Sequence, residues 1–138
     1  MSIIFSRQCE YALQAVSYLA LQPSGKFISI RELTHRLKIP YYFLGKILQH
    51  LAQKQLLISQ KGHNGGFTLA DLPEKITLYK IVESIDGTEF ERRCAMGYSE
   101  CSNKSPCTLH HQWEKSRAEM IELLEGTNIS ANNILKGE

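Results

Sequence analysis

The chain has 138 residues, 43% of them hydrophobic, which suits one domain or a small domain with an appendage. It holds no run of about 18 apolar residues, so no membrane span is expected. The start, MSIIFSRQCEYAL, lacks the basic segment and long apolar stretch of a secretory signal, so the expected location is the cytoplasm, with reduced thiols. The net charge of +2 hides a division: residues 1–66 carry eight Lys/Arg against Glu10 and Glu32, a net of +6, whereas residues 67–138 net −4. A basic half in a near-neutral chain suits a polyanion or a merely solvated surface, and charge alone leaves both open.

Residues 6–22, SRQCEYALQAVSYLALQ, repeat Ala12, Ala15, Val16, Leu19 and Ala20 at helical spacing, with Ser6 as N-cap and Pro23–Gly25 as the stop. Cys9 reads as a small packed residue and Glu10 as a helix-start acid favoured by the dipole. In ISIRELTHRLKI, Ser29 and Glu32 form a capping box ahead of a short helix burying Ile30, Leu33 and Leu37. Pro40 then opens PYYFLGKILQHLAQKQ as an N1 proline. That helix buries Leu44, Ile47, Leu48 and Leu51 and exposes Tyr41 or Tyr42, Gly45, Lys46, Gln49, His50 and Gln53. Two helices joined by a tight turn, after an earlier helix, make a helix-turn-helix pattern.

LLISQ and FTLA are β-competent, and KGHNGG between them is a turn in which Gly65 and Gly66 supply positive φ. A hairpin directly after a helix-turn-helix is a wing. Its tip residues Lys61, His63 and Asn64 suit phosphate or minor-groove contacts. Tyr41, Tyr42, Lys46 and Gln49 are the candidates for contacts in the major groove. After a linker at Asp71–Glu74, Thr77 caps LYKIVESIDG, with Leu78, Ile81, Val82 and Ile85 inward and Gly87 at the stop.

Three of the four cysteines, Cys94, Cys101 and Cys107, fall within CAMGYSECSNKSPC, with six residues in the first gap and five in the second. Gly97, Ser99, Ser102, Asn103, Ser105 and Pro106 favour a loop. A loop returning three soft thiolates to one point is a metal-binding device suited to zinc, copper(I) or an iron–sulfur cluster. Three unrelated thiols are the plain alternative. A disulfide is disfavoured, because an odd cluster cannot pair completely and nothing suggests export. Three ligands leave a fourth position for another residue, water or a substrate. Ser105 and Pro106 are read as N-cap and N1 of a last helix running to about Glu125. Leu109, Trp113, Ser116, Met120 and Leu123 form an apolar seam on it, suited to a partner chain. Residues 126–138 read as a weakly ordered tail.

Taken together, these segments resemble the IscR/NsrR family of bacterial iron–sulfur transcription regulators. The matching pieces are the EYAL helix, the turn before IPYYFLGKILQHL, the wing QKGHNGGFTLA, TLYKIVESIDG, the three-cysteine loop and the Trp113-bearing helix, over about residues 5–125. The resemblance implies a mainly α fold with a small β-hairpin wing: a winged helix-turn-helix in residues 1–72, then linker helix, cysteine loop and long C-terminal dimerisation helix in residues 73–138, in one compact domain. It implies a homodimer on double-stranded DNA, with a 2Fe-2S or 4Fe-4S cluster on Cys94, Cys101 and Cys107. The dimer seam would be Leu109, Trp113, Met120 and Leu123. Where the family usually has five residues in the first cysteine gap, this chain has six, which bears on cluster type more than on cluster binding.

For the fourth ligand the resemblance ranks Glu10 first, because members supply a carboxylate there, from the partner subunit. Members lacking that acid often carry a basic residue at the same place. His110, three residues after Cys107, is favoured by local geometry, and His111 points about 100° away and ranks third. Each leader also has a plain reading, Glu10 as a helix-start acid and His110 as a hydrogen-bonding loop residue. Loss of the cluster would relax the loop and last helix and alter the separation of the two recognition helices, which must match about 34 Å along DNA. The alternative is a repressor of the same fold using zinc, thiol redox chemistry or a small effector. An enzyme is not expected: no general base stands near the loop, and the basic winged half would have no purpose.

Overall fold

A computed structural model describes residues 5–88, 91–98 and 106–130. Cys101 and Ser105 lie outside the described residues. Five α-helices and one hairpin follow in the order α1 (Arg7–Ala20), α2 (Ile30–Leu37), α3 (Tyr41–Gln53), β1 (Leu57–Gln60), β2 (Gly66–Leu69), α4 (Leu78–Asp86) and α5 (His110–Gly126), with a 3-10 turn at Pro73–Lys75. The end positions follow from local chemistry. Ser6, Ser29 and Thr77 each accept, on the side-chain oxygen, a backbone N–H three residues on, which satisfies a donor that the first helical turn leaves unpaired. Lys38 adopts a left-handed conformation (φ 57) that ends α2, and Gly87 (φ 73) ends α4. Pro40 sits at the N-cap of α3 rather than the expected N1 position; its missing N–H costs nothing at either place.

The core joins Ala12, Ala15, Val16 and Leu19 of α1 to Leu33, Ile39, Leu44, Ile47, Leu48 and Leu51 of the two-helix unit. Ile76 and Ile81 close it from the α4 side. β1 and β2 pair antiparallel, Leu57 opposite Leu69 and Gln60 opposite Gly66. Ile28, ahead of α2, adds a third rung by exchanging both backbone hydrogen bonds with Phe67 at 2.9 Å. The hairpin is thereby fixed to the start of the helix-turn-helix. Positive φ falls on Gly62 (104) and Gly66 (151), not on the expected Gly65 and Gly66 pair. At Gly66 a Cβ would run into the Ile28 carbonyl, and at Gly65 into that of Gln60, so close backbone approach accounts for both.

Two expectations for the C-terminal half are corrected. The last helix begins at His110, with Leu109 at its N-cap, and Cys107–His110 form a turn closed by His110 N–H to the Cys107 carbonyl at 3.0 Å. A tertiary contact outweighs the local preference of Pro106 for a helix start: the turn carries the Cys107 sulfur to Cys94. The segment after α5 is not a loose tail as far as Ser130. Leu78 N–H donates to the Thr127 carbonyl and Ile129 N–H to the Ile76 carbonyl, and Ile129 is fully buried. Two extra hydrogen bonds and one apolar anchor are enough to order a polar stretch whose composition favours disorder. Residues 131–138 lie outside the described residues.

Candidate nucleic-acid interface and cysteine site

α3 turns Leu44, Ile47, Leu48 and Leu51 inward, and this sets its outer face. Tyr41, Tyr42, Lys46 and Gln49 are all exposed there, as the amphipathic spacing requires. Phe43 is exposed too, which spacing did not single out. The Lys46 ammonium lies 4.5 Å from the Tyr42 ring centroid, and the Tyr42 and Phe43 rings meet edge-on at 6.3 Å. Lys61, His63 and Asn64 are exposed at the wing tip, where Gly65 N–H closes a turn on the Gly62 carbonyl at 3.1 Å. His50, expected on the open face, instead meets the Ser84 carbonyl at 2.6 Å and ties α3 to α4.

α4 delivers the chain to the cysteine site. Its last residue, Asp86, accepts from the backbone N–H of Ser6 at 3.0 Å and from the Ser6 hydroxyl. The start of α1 is thus pinned beside the end of α4. Cys9 is fully buried between them, in a small cluster with Val82 and Leu124. Burial, then the Asp86 carboxylate, pushes its thiol up to about 12. Cys9 is a packed, inert thiol. Glu10 is half-exposed, 4.0 Å from Arg7 in a surface pair.

The Cys94 and Cys107 sulfurs stand 3.6 Å apart. Around one metal ion with bonds of about 2.3 Å, two thiolates of a tetrahedron are about 3.8 Å apart, so this pair fits a shared ion. Burial acts to raise the Cys94 thiol, but hydrogen bonding from the backbone of Met96 and Tyr98, from Cys107 and from Gly97 outweighs it, and the net shift is downward. A loop aiming several N–H groups at one sulfur favours the thiolate, the form that ligates metals.

α5 holds this loop from the other side. Trp113 Nε1–H and the Arg117 guanidinium both donate to the Arg93 carbonyl, at 2.8 and 3.1 Å. Arg117 is only 8% exposed. The residue just before Cys94 is therefore clamped by two side chains one helical turn apart. Sequence reasoning missed Arg117. Its place seven residues after His110 was the available signal, but an arginine on a mixed helix is ordinarily read as solvated. The inward face of α5 is His110, Arg117 and Leu124, whereas Leu109 and Leu123 of the expected seam face outward, with Trp113 and Met120 half-buried between.

His110 is 2% exposed. Its Nε2 lies 4.0 Å from a Glu114 carboxylate oxygen, and its ring meets that of His111 edge-on at 5.2 Å. Ligand atoms of His110, His111 and Glu114 lie within 4.8 Å of one another. The buried ring of His110 therefore has Glu114 and His111 beside it, and its backbone N–H is bonded to the Cys107 carbonyl.

A three-helix unit with a hairpin tied to it, an exposed second helix of the pair and a basic leading half define a winged-helix DNA-binding regulator. The Rrf2 family profile, described as an iron-dependent transcriptional regulator, matches residues 5–131, and the chain belongs to that family of DNA-binding transcription regulators. It is 35% identical over 129 residues to a protein of Aquifex aeolicus named for an HTH-type transcriptional regulator, covering 92% of this chain and 89% of the relative. It is 30% identical over 117 residues to the HTH-type transcriptional regulator NsrR of Shouchella clausii, covering 84% and 78%. The fold is shared with CymR, the global cysteine regulator of B. subtilis (TM-score 0.76, 20% identity, 91% and 92% covered). It is shared equally with IscR of T. potens (TM-score 0.75, 21% identity, 96% and 87% covered). These relatives are regulators and not enzymes, in keeping with the expectation from the sequence. Among the described residues no helix is long and apolar enough to cross a membrane.

Proposed function

We propose that this regulator senses redox, nitric oxide or iron status through an iron–sulfur cluster on Cys94, Cys101 and Cys107, and that cluster state sets its affinity for double-stranded DNA as a homodimer. The observation that carries this reading is the 3.6 Å pair of Cys94 and Cys107 sulfurs, with backbone N–H groups of Met96, Gly97 and Tyr98 acting on Cys94. Hydrogen bonds to cluster sulfurs tune potential, and burial restricts solvent access. Two thiolates at the separation of one tetrahedral edge suit a 2Fe-2S centre, in which an iron takes two protein ligands, better than a four-iron cube whose corners take one each. The cluster, when bound, supplies an electron-accepting, oxidant-labile anchor. The protein's part is to hold Cys94 through the Arg93 clamp, and so to join the loop to α5.

For the fourth ligand, Glu10 from the partner chain remains first. Its carboxylate is half-exposed and, among the described residues, stands in a surface pair with Arg7, which leaves it accessible to a second chain. His110, buried beside Glu114 and three residues after Cys107, follows. Tyr41, Tyr42, Lys46 and Gln49 would enter the major groove and Lys61, His63 and Asn64 would hold the wing on the backbone. Anaerobic purification with iron and sulfide analysis, a visible spectrum and DNA titration before and after cluster removal tests the reading. Visible sulfur-to-iron absorption, equimolar acid-labile sulfide and a change in DNA affinity are expected.

A second reading rests on the same thiol pair. A zinc ion would accept the same tetrahedral edge, and neighbouring thiols can also close a disulfide. Colourless protein with stoichiometric zinc, or DNA affinity that follows thiol oxidation alone, would replace the cluster with this alternative.

A further inference from the structure

The leading turn of α3 carries Tyr41, Tyr42 and Phe43 in succession, exposed by 58%, 68% and 51%. Three large, adjacent aromatic side chains left in water at the start of a recognition helix are costly unless something covers them. Their surroundings also restrict how they can read a base pair. In Pro40–Leu44 there is no Arg, Lys, Asn, Gln, Asp or Glu, the side chains that form paired hydrogen bonds to purine or cytosine edges. Lys46 is folded over the Tyr42 ring at 4.5 Å, and the Tyr42 and Phe43 rings brace each other edge-on. The platform is therefore mainly apolar ring surface, polar at the phenol hydroxyls of Tyr41 and Tyr42, positively charged along one border and partly ordered before any partner arrives. Ordering beforehand lowers the entropic cost of contact.

The major groove offers one apolar feature on a base edge, the C5-methyl group of thymine. We infer that Tyr41, Tyr42 and Phe43 form an apolar platform that recognises thymine methyl groups in each half-site, while Lys46 holds Tyr42 in place and meets a neighbouring phosphate or base. This rests on α3 being the groove-reading helix, and it adds what that helix reads. The basic half of the chain, which includes Lys46 and Lys61, supplies the charge complement to the DNA backbone.

The test uses the full-length protein, anaerobically purified, and a random duplex pool from which bound sequences are selected. Half-sites with thymines in the major groove facing the protein are expected. Replacing those thymines by deoxyuridine removes only the methyl groups. Each contacted position should lose about fourfold in affinity, the effect of one exposed rather than buried carbon. Tyr42→Ser and Phe43→Ser should each abolish this difference at one contacted position, and Phe43→Ser, which leaves the Lys46–Tyr42 contact in place, should leave the salt dependence of binding unchanged; circular dichroism verifies their fold. Equal affinity for thymine and deoxyuridine duplexes would overturn the inference. So would a methyl effect that survives in Tyr41→Ser/Tyr42→Ser/Phe43→Ser protein, since it would then come from DNA shape. Failure to select any duplex would instead sink the groove-reading role of α3 itself.

Discussion

Cys9 and the loop cysteines differ in environment rather than in chemistry. Cys9 is sealed between α1, α4 and α5, with its thiol pushed up to about 12. In the folded protein without a bound metal or cluster, Cys9 is expected to resist alkylation at pH 8, whereas the half-buried Cys107 reacts; mass spectrometry after a short iodoacetamide pulse distinguishes them. Cys9→Ala should leave the visible spectrum intact, and loss of any one of Cys94, Cys101 or Cys107 should remove it. If Cys9→Ala bleaches the protein while one loop cysteine proves dispensable, the assignment is wrong. Glu10→Ala and His110→Ala, each reconstituted anaerobically, decide the fourth ligand. A spectral change confined to the Glu10 variant is expected, and a change confined to the His110 variant would reverse the order. At the wing, Lys61→Ala should weaken binding similarly on all duplexes and lower the salt slope by about one. A slope that does not move takes Lys61 out of the interface.

At the scale of elements, two junctions bear the structure's particular features. The first is the Arg93 carbonyl, held by Trp113 and Arg117. Trp113→Phe or Arg117→Met leaves one donor, but the double variant leaves a carbonyl beside Cys94 without either. That should cost about 1–3 kcal/mol in urea unfolding and speed cluster loss more than the single changes together. Additive losses would mean that the clamp does not act as a unit. The second junction is Ile28 with Gly66. Gly66→Ala puts a Cβ against the Ile28 carbonyl at a φ of 151, so it should loosen the wing. Wing-proximal amides should then exchange faster, even where α1 and α3 stay protected. The C-terminal strap gives a further measure: Ile129→Ala empties a fully buried site and should cost about 2–5 kcal/mol.

For the whole molecule, the proposed homodimer would use the outward face of α5. Leu123 is 64% exposed and Leu109 43%, while Trp113 is already half covered by its own chain. Dimerisation through this face is expected to depend more on Leu123 than on Trp113. Leu123→Glu should shift the protein toward monomer in sedimentation velocity at micromolar concentration, with the far-ultraviolet spectrum unchanged. A wild-type monomer under those conditions would contradict the proposed dimer, and with it the half-site spacing by which a cluster could govern DNA affinity.

The elements themselves were legible because they are local. Ser6, Ser29 and Thr77 cap helices through hydrogen bonds spanning three residues, and the apolar spacing of Leu44, Ile47, Leu48 and Leu51 fixes which side of α3 is left outside. The grouping of three cysteines in one short segment is likewise visible without any fold, and the metal chemistry proposed for it rests on those residue types and gaps. Tertiary structure alone decided matters that depend on distant partners. Pro106 did not start α5, because bringing the Cys107 sulfur within 3.6 Å of Cys94 required a turn there. Residues 127–130 became ordered only because Ile76 and Leu78 offered backbone partners and a buried place for Ile129. Arg117 turned inward because the Arg93 carbonyl, twenty-four residues earlier, awaited a donor. Periodicity and capping report on interactions within a few residues, whereas these three outcomes depend on which distant backbone groups the completed fold brings near.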